Sequence, residues 1–294
     1  MNKPTIGFIG LGLMGRAMAE RLQENGYGLV VMGNRDRTGI EAAIQRGARE
    51  AGTAKALTQA SDVVMFCMGT SDHVESRVYG KDGVLEGVRK GQIVIDFGTS
   101  LPGSTLKIGA DLADKGATYL DAPLGRTPAH AIDGLLNIMC AGDEAAFDQV
   151  KPVLDVLGEN VFHLGPLGSG HSIKLINNFF AMTTACAMSE AFAMADAAGI
   201  EREKLYNVMS AGPLRSGMMD FVRTYATERK IDLAFSVTNA AKDVGYYRKM
   251  AEGLGARSRM SGAADATLRE ARDNGFADNM VPEMVDYLHD HLKD

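Results

Sequence analysis

The stretch Ile6-Gly7-Phe8-Ile9-Gly10-Leu11-Gly12-Leu13-Met14-Gly15 decides the fold. An apolar run from Pro4 to Ile9 gives way to G-x-G-x-x-G at Gly10, Gly12 and Gly15. Leu11, Met14, Met18 and Leu22 then recur at helical spacing, Gly26 stops the helix, and Leu29-Val30-Val31-Met32 reads as the next strand. In a strand–turn–helix each glycine has a task. The first permits the tight turn, the second lets the backbone approach a dinucleotide's pyrophosphate, and the third lets helix and strand pack closely. The helix N-terminus then faces the negative charge. The same three glycines alone would be a structural turn; the flanking strands favour a nucleotide site.

Residues 1–164 alternate apolar runs with helical patterns. The strand candidates are 5–9, 28–32, 63–67, 93–96, 118–121, 136–140 and 160–163; the helical stretches include 14–25, 38–46, 73–79, 104–115 and 144–157. This alternation predicts an α/β fold, a Rossmann-type doubly wound parallel sheet. Gly165-Pro166-Leu167-Gly168-Ser169-Gly170 is the clearest punctuation, so the second domain is taken as 165–294. It reads as all-α: one long interdomain helix from about 169 to 198, Gly199 as its C-cap, then at least four shorter helices. The 17 methionines fall at helical spacing and are taken as core filler rather than a functional stripe.

The chain has 294 residues, enough for one large domain or two ordinary ones, and its 46% apolar and 23% charged residues suit a globular protein. With a net charge of −6 and no Lys/Arg block, nothing points to nucleic acid or an anionic membrane. Cys67, Cys140 and Cys186 are odd in number and lack metal-ligand spacing, which suggests free thiols in a reducing compartment and no metal site. Lys3 and Ala17-Met18-Ala19 mimic a signal peptide, but three glycines break the apolar stretch between them. The apolar segment 179–199 is interrupted by Thr183, Thr184, Glu190 and Asp196 and reads as a buried helix, not a membrane span. A cytoplasmic protein is expected, with the Ala/Met-rich helices burying surface in a homodimer or homotetramer.

The end of the second strand bears on cofactor choice. An acidic residue there binds the ribose 2′-OH of NAD, whereas arginine and small polar residues suit the 2′-phosphate of NADP. The chain reads Gly33-Asn34-Arg35-Asp36-Arg37-Thr38. Asn34, Arg35 and Arg37 would suit a 2′-phosphate through guanidinium donors. The competing reading is a solvated loop whose Asp36 takes the ribose. NADP is the preferred cofactor and NAD the alternative. Leu13 and Met14 in the glycine turn, and Met68 beyond the third strand, are further candidate cofactor contacts.

Thr99 lies just beyond strand 93–96, and Gly125-Arg126-Thr127 just beyond strand 118–121. In a doubly wound sheet both loops open onto the ligand crevice. Lys174 and Asn178 share a face of the long helix, with Asn177 adjacent. Hydride transfer to a carbonyl leaves an alkoxide that needs a proton and a compensating charge. A lysine ammonium supplies both, and partial burial lowers its pKa toward working pH. An asparagine one turn away can hold the lysine or the substrate oxygen, and a nearby arginine can hold an anionic tail. By itself a lysine on a helix, or an arginine in a loop, is ordinarily a surface residue. Asn177-Asn178 followed by Phe179-Phe180 is less ordinary, since buried amides need partners.

Four separated motifs together resemble the β-hydroxyacid dehydrogenases, which include 3-hydroxyisobutyrate dehydrogenase and tartronate semialdehyde reductase. F-I-G-L-G-L-M-G-R-A-M-A (8–19) resembles the family's cofactor motif, and D-A-P-L-G-R-T-P-A-H-A (121–131) sits where the family has its substrate loop. G-x-x-G-x-G-x-x-x-K-L-I-N-N (165–178) resembles the catalytic segment, which implies Lys174 as catalytic lysine and Asn178 as its partner. Lys242-Asp243 in A-A-K-D-V-G matches a late motif near the cofactor, which implies a cofactor contact for Lys242. Most members carry Ser-Gly-Gly where this chain has Gly125-Arg126-Thr127. The Gly-Arg-Thr triplet is similar to that of the 3-sulfolactaldehyde reductases, in which the arginine faces a sulfonate.

The expected function is therefore reversible, NAD(P)-dependent reduction of a small aldehyde bearing an acidic group. Lys174 and Asn178 are the expected catalytic pair. Thr99, Gly125, Arg126, Thr127 and Asn177 are expected to hold the substrate, and Gly10, Gly12, Leu13, Met14, Gly15, Asn34, Arg35, Met68, Thr99 and Lys242 the cofactor. 3-Sulfolactaldehyde is the first-choice substrate, with a carboxylic semialdehyde such as succinic or tartronate semialdehyde as alternative. His130 either touches the substrate or caps the following helix. Two other readings share the scaffold: a non-catalytic NAD(P)-binding protein and an imine reductase. Lys174 at its motif position argues against both.

Overall fold

The computed structural model describes residues 3–33 and 36–291. It divides into two compact units, residues 1–174 and 175–294.

The first unit opens with β1 (Ile6–Ile9), α1 (Leu13–Glu24), β2 (Leu29–Met32), α2 (Thr38–Gln45) and β3 (Arg49–Glu50). It continues with α3 (Ala54–Gln59), β4 (Val63–Phe66), α4 (Ser71–Tyr79), α5 (Val84–Gly87), β5 (Ile93–Asp96), α6 (Pro102–Ala113) and β6 (Thr118–Asp121). The six strands form one sheet in the order β3-β2-β1-β4-β5-β6, all parallel. The order reverses at β1, the switch point where such sheets bind their ligands. β1, β2, β4 and β5 are buried along their whole length. Their alternate residues enter two separate cores: Ile6, Phe8, Val31, Met65 and Ile95 on one face, Ile9, Val30, Val64, Phe66 and Val94 on the other. Helices cover both faces, so the strands read as continuous apolar runs rather than alternating ones. The expected doubly wound α/β architecture is thus present.

One expectation needs correction. The strands read at 136–140 and 160–163 do not extend this sheet. With β7 (Leu124–Gly125), α7 (Pro128–Ile132), β8 (Leu136–Cys140), α8 (Glu144–Leu157) and β9 (Gly158–His163), they make a second sheet of order β7-β8-β9. β7 pairs antiparallel with β8, and β8 parallel with β9. Composition cannot tell which sheet a run joins. Immediately after Pro123, Leu124 and Gly125 pair with Ile138 and Asn137 of β8, and that non-local pairing defines the second sheet.

α9 (Ser169–Ala197) begins in the first unit and continues into the second. Its end is a Schellman motif: Gly199 sits at φ 70°, its N–H bonds to Asp196 O (3.0 Å), and the Ile200 N–H bonds to Ala195 O (2.8 Å). The remaining elements are α10 (Arg202–Ser210), α11 (Gly217–Glu228), α12 (Val237–Gly253), α13 (Met260–Ala271) and α14 (Met284–His291), with a short π turn and a 3₁₀ turn between α13 and α14. Met182, Phe192, Val222, Val244, Leu268 and Val285 belong to their shared core. Among the described residues no helix is long and apolar enough to cross a membrane.

Candidate active site

Gly10 adopts φ 101°, and a Cβ there would lie 2.3 Å from the carbonyl oxygen of Cys67. A Cβ on Gly15 would lie 1.9 Å from Gly10 O and 3.1 Å from the Phe8 ring. These two glycines are required by the chain's own packing. Gly12 differs, because a Cβ there meets nothing within 4 Å. Gly12 is also the N-cap of α1, contributes no side-chain cap, and is followed by a first turn without an acidic residue and by an 83% exposed Leu13. The start of α1 therefore has open space beside Gly12 and no acidic residue in its first turn. A helix N-terminus of this kind can receive a dinucleotide's pyrophosphate. Met68 lies beside it: its Cγ is 3.2 Å from a Cβ built on Gly10, and its carbonyl oxygen is 2.9 Å from one built on Gly98. The glycine turn, Met68 and the Gly98-Thr99 turn therefore adjoin at the C-terminal ends of β1, β4 and β5.

Asn34 and Arg35, expected to choose between NADP and NAD, lie outside the described residues. Arg37 is already engaged. Its Nη1 and Nη2 donate to the two carboxylate oxygens of Glu50 (3.1 and 3.0 Å), and its Nε donates to Glu41 (3.3 Å). The hydrogen bond from Arg37 holds the Glu50 carboxyl below its ordinary 4.5. Asp36, the alternative ribose ligand, accepts the Thr38 N–H (2.9 Å) at the start of α2, and that bond lowers its pKa.

Asp96 and Asp121 end β5 and β6 and are wholly buried. Asp96 accepts from Gly98 N (2.8 Å) and Ser100 Oγ (2.9 Å), bracketing Thr99. Asp121 accepts from Gly168 N (2.8 Å) and His171 N (2.7 Å), at the start of α9. Burial pushes the Asp121 carboxyl above its ordinary 3.8, with His171 and these N–H donors opposing the shift. Burial, followed by the charge of Asp96, pushes the neighbouring Tyr119 hydroxyl well above 10.0.

Beyond β6 the expected substrate loop has an unusual backbone. Gly125 ends β7, and Arg126 adopts φ 76°, a left-handed conformation that favours glycine. The Arg126 Nη1 donates to Leu135 O (2.7 Å) and to Glu159 on β9 (2.5 Å); among the described residues no hydrogen bond engages Nε or Nη2. Thr127 Oγ1 is 2.7 Å from His130 Nδ1, so the imidazole is paired inside its own loop.

Lys174 is half-buried on α9, one turn beyond His171. In the helical unit, Asn178 is buried and donates Nδ2 to Asp243 Oδ2 (2.6 Å). Asp243, 2% exposed, also meets Lys242 Nζ at 3.0 Å. Exposed Asn177 donates to Asn178 Oδ1 (3.3 Å). Lys242, Asp243, Asn178 and Asn177 thus form one chain of contacts that fixes which way the Asn178 amide points.

Two family models account for almost the whole chain. Residues 5–165 match the NAD binding domain of 6-phosphogluconate dehydrogenase. Residues 168–288 match the NAD-binding domain of NADP-dependent 3-hydroxyisobutyrate dehydrogenase. The chain belongs to the β-hydroxyacid dehydrogenase family. It is an NAD(P)-dependent oxidoreductase.

This β-hydroxyacid dehydrogenase is 31% identical over 227 residues to the 2-(hydroxymethyl)glutarate dehydrogenase of Eubacterium barkeri, covering 77% of this chain and 72% of that one. It is 30% identical over 253 residues to the 2-hydroxy-3-oxopropionate reductase of Escherichia coli (strain K12), covering 85% of each. The structure of Mycobacterium tuberculosis 3-hydroxyisobutyrate dehydrogenase with L-serine matches with a TM-score of 0.89 at 23% identity, covering 98% of this chain and 99% of that one. At that identity the likeness concerns the fold.

Sequence reading of this dehydrogenase overlooked four buried groups: Asp96, Asp121, His171, and Asp243 as the partner of Asn178. Each was visible as an acid ending an apolar strand, or as a polar residue inside a quoted motif. Their partners, however, lie far along the chain: Thr105 is 66 residues from His171, and Asn178 is 65 from Asp243.

Proposed function

We propose that this dehydrogenase reduces a small aldehyde carrying an anionic group to the corresponding alcohol, with NADPH as preferred hydride donor. The nicotinamide, when bound, supplies the hydride. The pyrophosphate would lie on Gly10, Gly12, Leu13, Met14 and Gly15, with Met68, Thr99 and Lys242 as further cofactor contacts. Asn34 and Arg35 would take the 2′-phosphate, since Arg37 is already occupied by Glu50. Lys174 donates the proton to the aldehyde oxygen as the carbon is reduced, and takes it back in the reverse direction. Asn178, oriented by Asp243, holds the lysine or that oxygen. Thr99, Gly125, Arg126, Thr127 and Asn177 hold the anionic end.

The observation that carries the anionic reading is Arg126. A left-handed backbone at a non-glycine residue costs about 1–2 kcal/mol, and such strain concentrates at functional loops. A long cationic side chain at this strained position, with Nε and Nη2 as remaining donors, suits an oxyanion. A sulfonate offers three oxygens to those donors and to Thr127, so 3-sulfolactaldehyde is the first choice. A carboxylic semialdehyde is the second reading, favoured by likeness to the 2-(hydroxymethyl)glutarate dehydrogenase and the 2-hydroxy-3-oxopropionate reductase, 31% and 30% identical to this chain.

Steady-state kinetics with 3-sulfolactaldehyde, succinic semialdehyde and tartronate semialdehyde, each with NADPH and NADH, test the proposal. The highest kcat/KM is expected for sulfolactaldehyde with NADPH. A preference for a carboxylic semialdehyde moves the substrate to the second reading. Tight cofactor binding with no turnover of any acidic aldehyde sinks the catalytic reading altogether.

A further inference from the structure

Asp96, Asp121 and His171 are all 0% exposed. Carboxylates are expensive to bury, and a junction between strands and a helix can be packed with apolar groups at less cost. Here two carboxylates sit at adjacent strand ends with an imidazole between them. His171 Nε2 is 3.7 Å from Asp96 Oδ2, and Nδ1 is 3.8 Å from Asp121 Oδ2. Nδ1 also lies 2.7 Å from Thr105 Oγ1 on α6, whose hydroxyl donates to Leu101 O (3.2 Å).

Each member of the cluster leads within a few residues to a segment of the proposed site. Asp96 holds Gly98 and Ser100 on either side of Thr99. Asp121 is followed three residues later by the strand that enters Gly125-Arg126-Thr127. His171 is followed one helical turn later by Lys174. The Asp121 carboxylate also accepts two N–H groups from the start of the lysine's helix. That start is pressed tightly in place: a Cβ on Gly170 would lie 2.2 Å from Met139 O and 2.9 Å from Asp121 Oδ2.

Apolar packing alone would hold α9 but leave its rotation soft. Each residue of an α-helix turns the side-chain direction by about 100°, so a small slip at the first turn redirects every later side chain. Two backbone bonds to one carboxylate, with a ring wedged beside them, fix that rotation. We propose that Asp96, Asp121 and His171 form a buried positioning unit that sets the direction of Lys174 relative to the Thr99 and Arg126 loops. This rests on Lys174 being the proton donor.

The test is a double-mutant cycle in the full-length enzyme. His171→Gln removes the ring contacts. Its kcat should fall at least ten-fold, while KM for the aldehyde and the NADPH dissociation constant, read by fluorescence titration, stay within two-fold. A unit that acts through Lys174 has nothing left to act on once the lysine is gone. The double variant His171→Gln/Lys174→Ala should therefore match Lys174→Ala alone in kcat. Thr105→Val, close in shape and lacking only the hydroxyl on Nδ1, should show the same pattern more weakly and serves if His171→Gln fails to fold. Wild-type kcat in a folded His171→Gln, or a second equal fall in the double variant, overturns the positioning role while leaving Lys174 in place. Wild-type turnover by Lys174→Ala overturns the proton-donor reading and this inference with it.

Discussion

At the residue scale, Arg126 shows why backbone and side chain must be weighed together. Replacing it by glycine relieves a left-handed strain of about 1–2 kcal/mol. Glycine's greater freedom in the unfolded chain costs roughly 0.5–1 kcal/mol in return. The variant also loses the exposed Nη1 bonds to Leu135 O and Glu159, worth about 1 kcal/mol at a solvent-exposed pair. Gains and losses nearly cancel, so Arg126→Gly should melt within a few degrees of wild type. Substrate binding has no such compensation. A charge-assisted hydrogen bond is worth about 1.5–3 kcal/mol, which converts to roughly a ten- to hundred-fold rise in KM. The rise should appear for anionic aldehydes and be absent for neutral ones of the same length; equal effects on both would remove Arg126 from the anion site. The same residue marks the limit of sequence reading. Its type and position in the loop were legible, but its φ and its bond to Glu159, 33 residues away, were not. Local spacing places Lys174 and Asn178 on one helix face. It carries no information about Asp243 or Asp121, whose roles depend on chain segments brought together only by folding.

At the element scale, the β1–α1 turn separates two kinds of glycine that look alike in sequence. Gly15→Ala drives a methyl group to 1.9 Å from a backbone oxygen that cannot move without breaking the turn. It should destabilise the protein by roughly 3 kcal/mol or more, seen as a lowered urea midpoint. Gly12→Ala meets no atom within 4 Å and changes only the N-cap preference, about 1 kcal/mol at most. Its effect should fall on NADPH affinity, at least ten-fold weaker by fluorescence titration, because the methyl group occupies the open space where the pyrophosphate would lie. Similar loss of stability in both variants would mean that Gly12, too, is a purely structural glycine. The neighbouring corner of β2, α2 and β3 yields an acid-side prediction. Glu50 is held below 4.5 by its hydrogen bond from Arg37. A depressed carboxylate contributes stability above its unfolded pKa and loses it as pH falls through its folded one. Glu50→Gln should therefore be less stable than wild type at neutral pH and converge with it at the acid end of a denaturation series. A gap that persists below both pKa values would assign the effect to packing instead. β3 and β7 escaped sequence reading for a simple reason: two-residue strands carry no periodicity, and only pairing with β2 and β8 defines them.

At the scale of the whole molecule, the chain builds separate cores. The Rossmann unit has one on each face of its sheet, and the helical unit has its own around Phe192 and Val244. The glycine-rich punctuation at 165–170 is where composition changes, whereas the compact units divide at Lys174 and Leu175. The difference has a physical source. The first turn of α9 is bound to Asp121 and packed on Met139, so those residues belong to the sheet although their pattern is already helical. The three free thiols sample both units: Cys67 and Cys140 lie in the first, Cys186 in the second. Burial pushes each from its ordinary 9.0 to about 12. The thiolate is the species that reacts. At pH 8 its fraction falls from ~0.1 for an ordinary thiol to ~0.0001, so native labelling of the buried Cys140 and Cys186 should run roughly 1000-fold slower than for unfolded peptides of the same sequence, with half-buried Cys67 less protected. Urea should release Cys140 and Cys186 at the midpoints of their own units. Mass spectrometry of the labelled cysteines then reports the opening of the nucleotide-binding and helical units separately. A thiol labelled at the free-peptide rate in the native protein would contradict the packing of the unit that holds it.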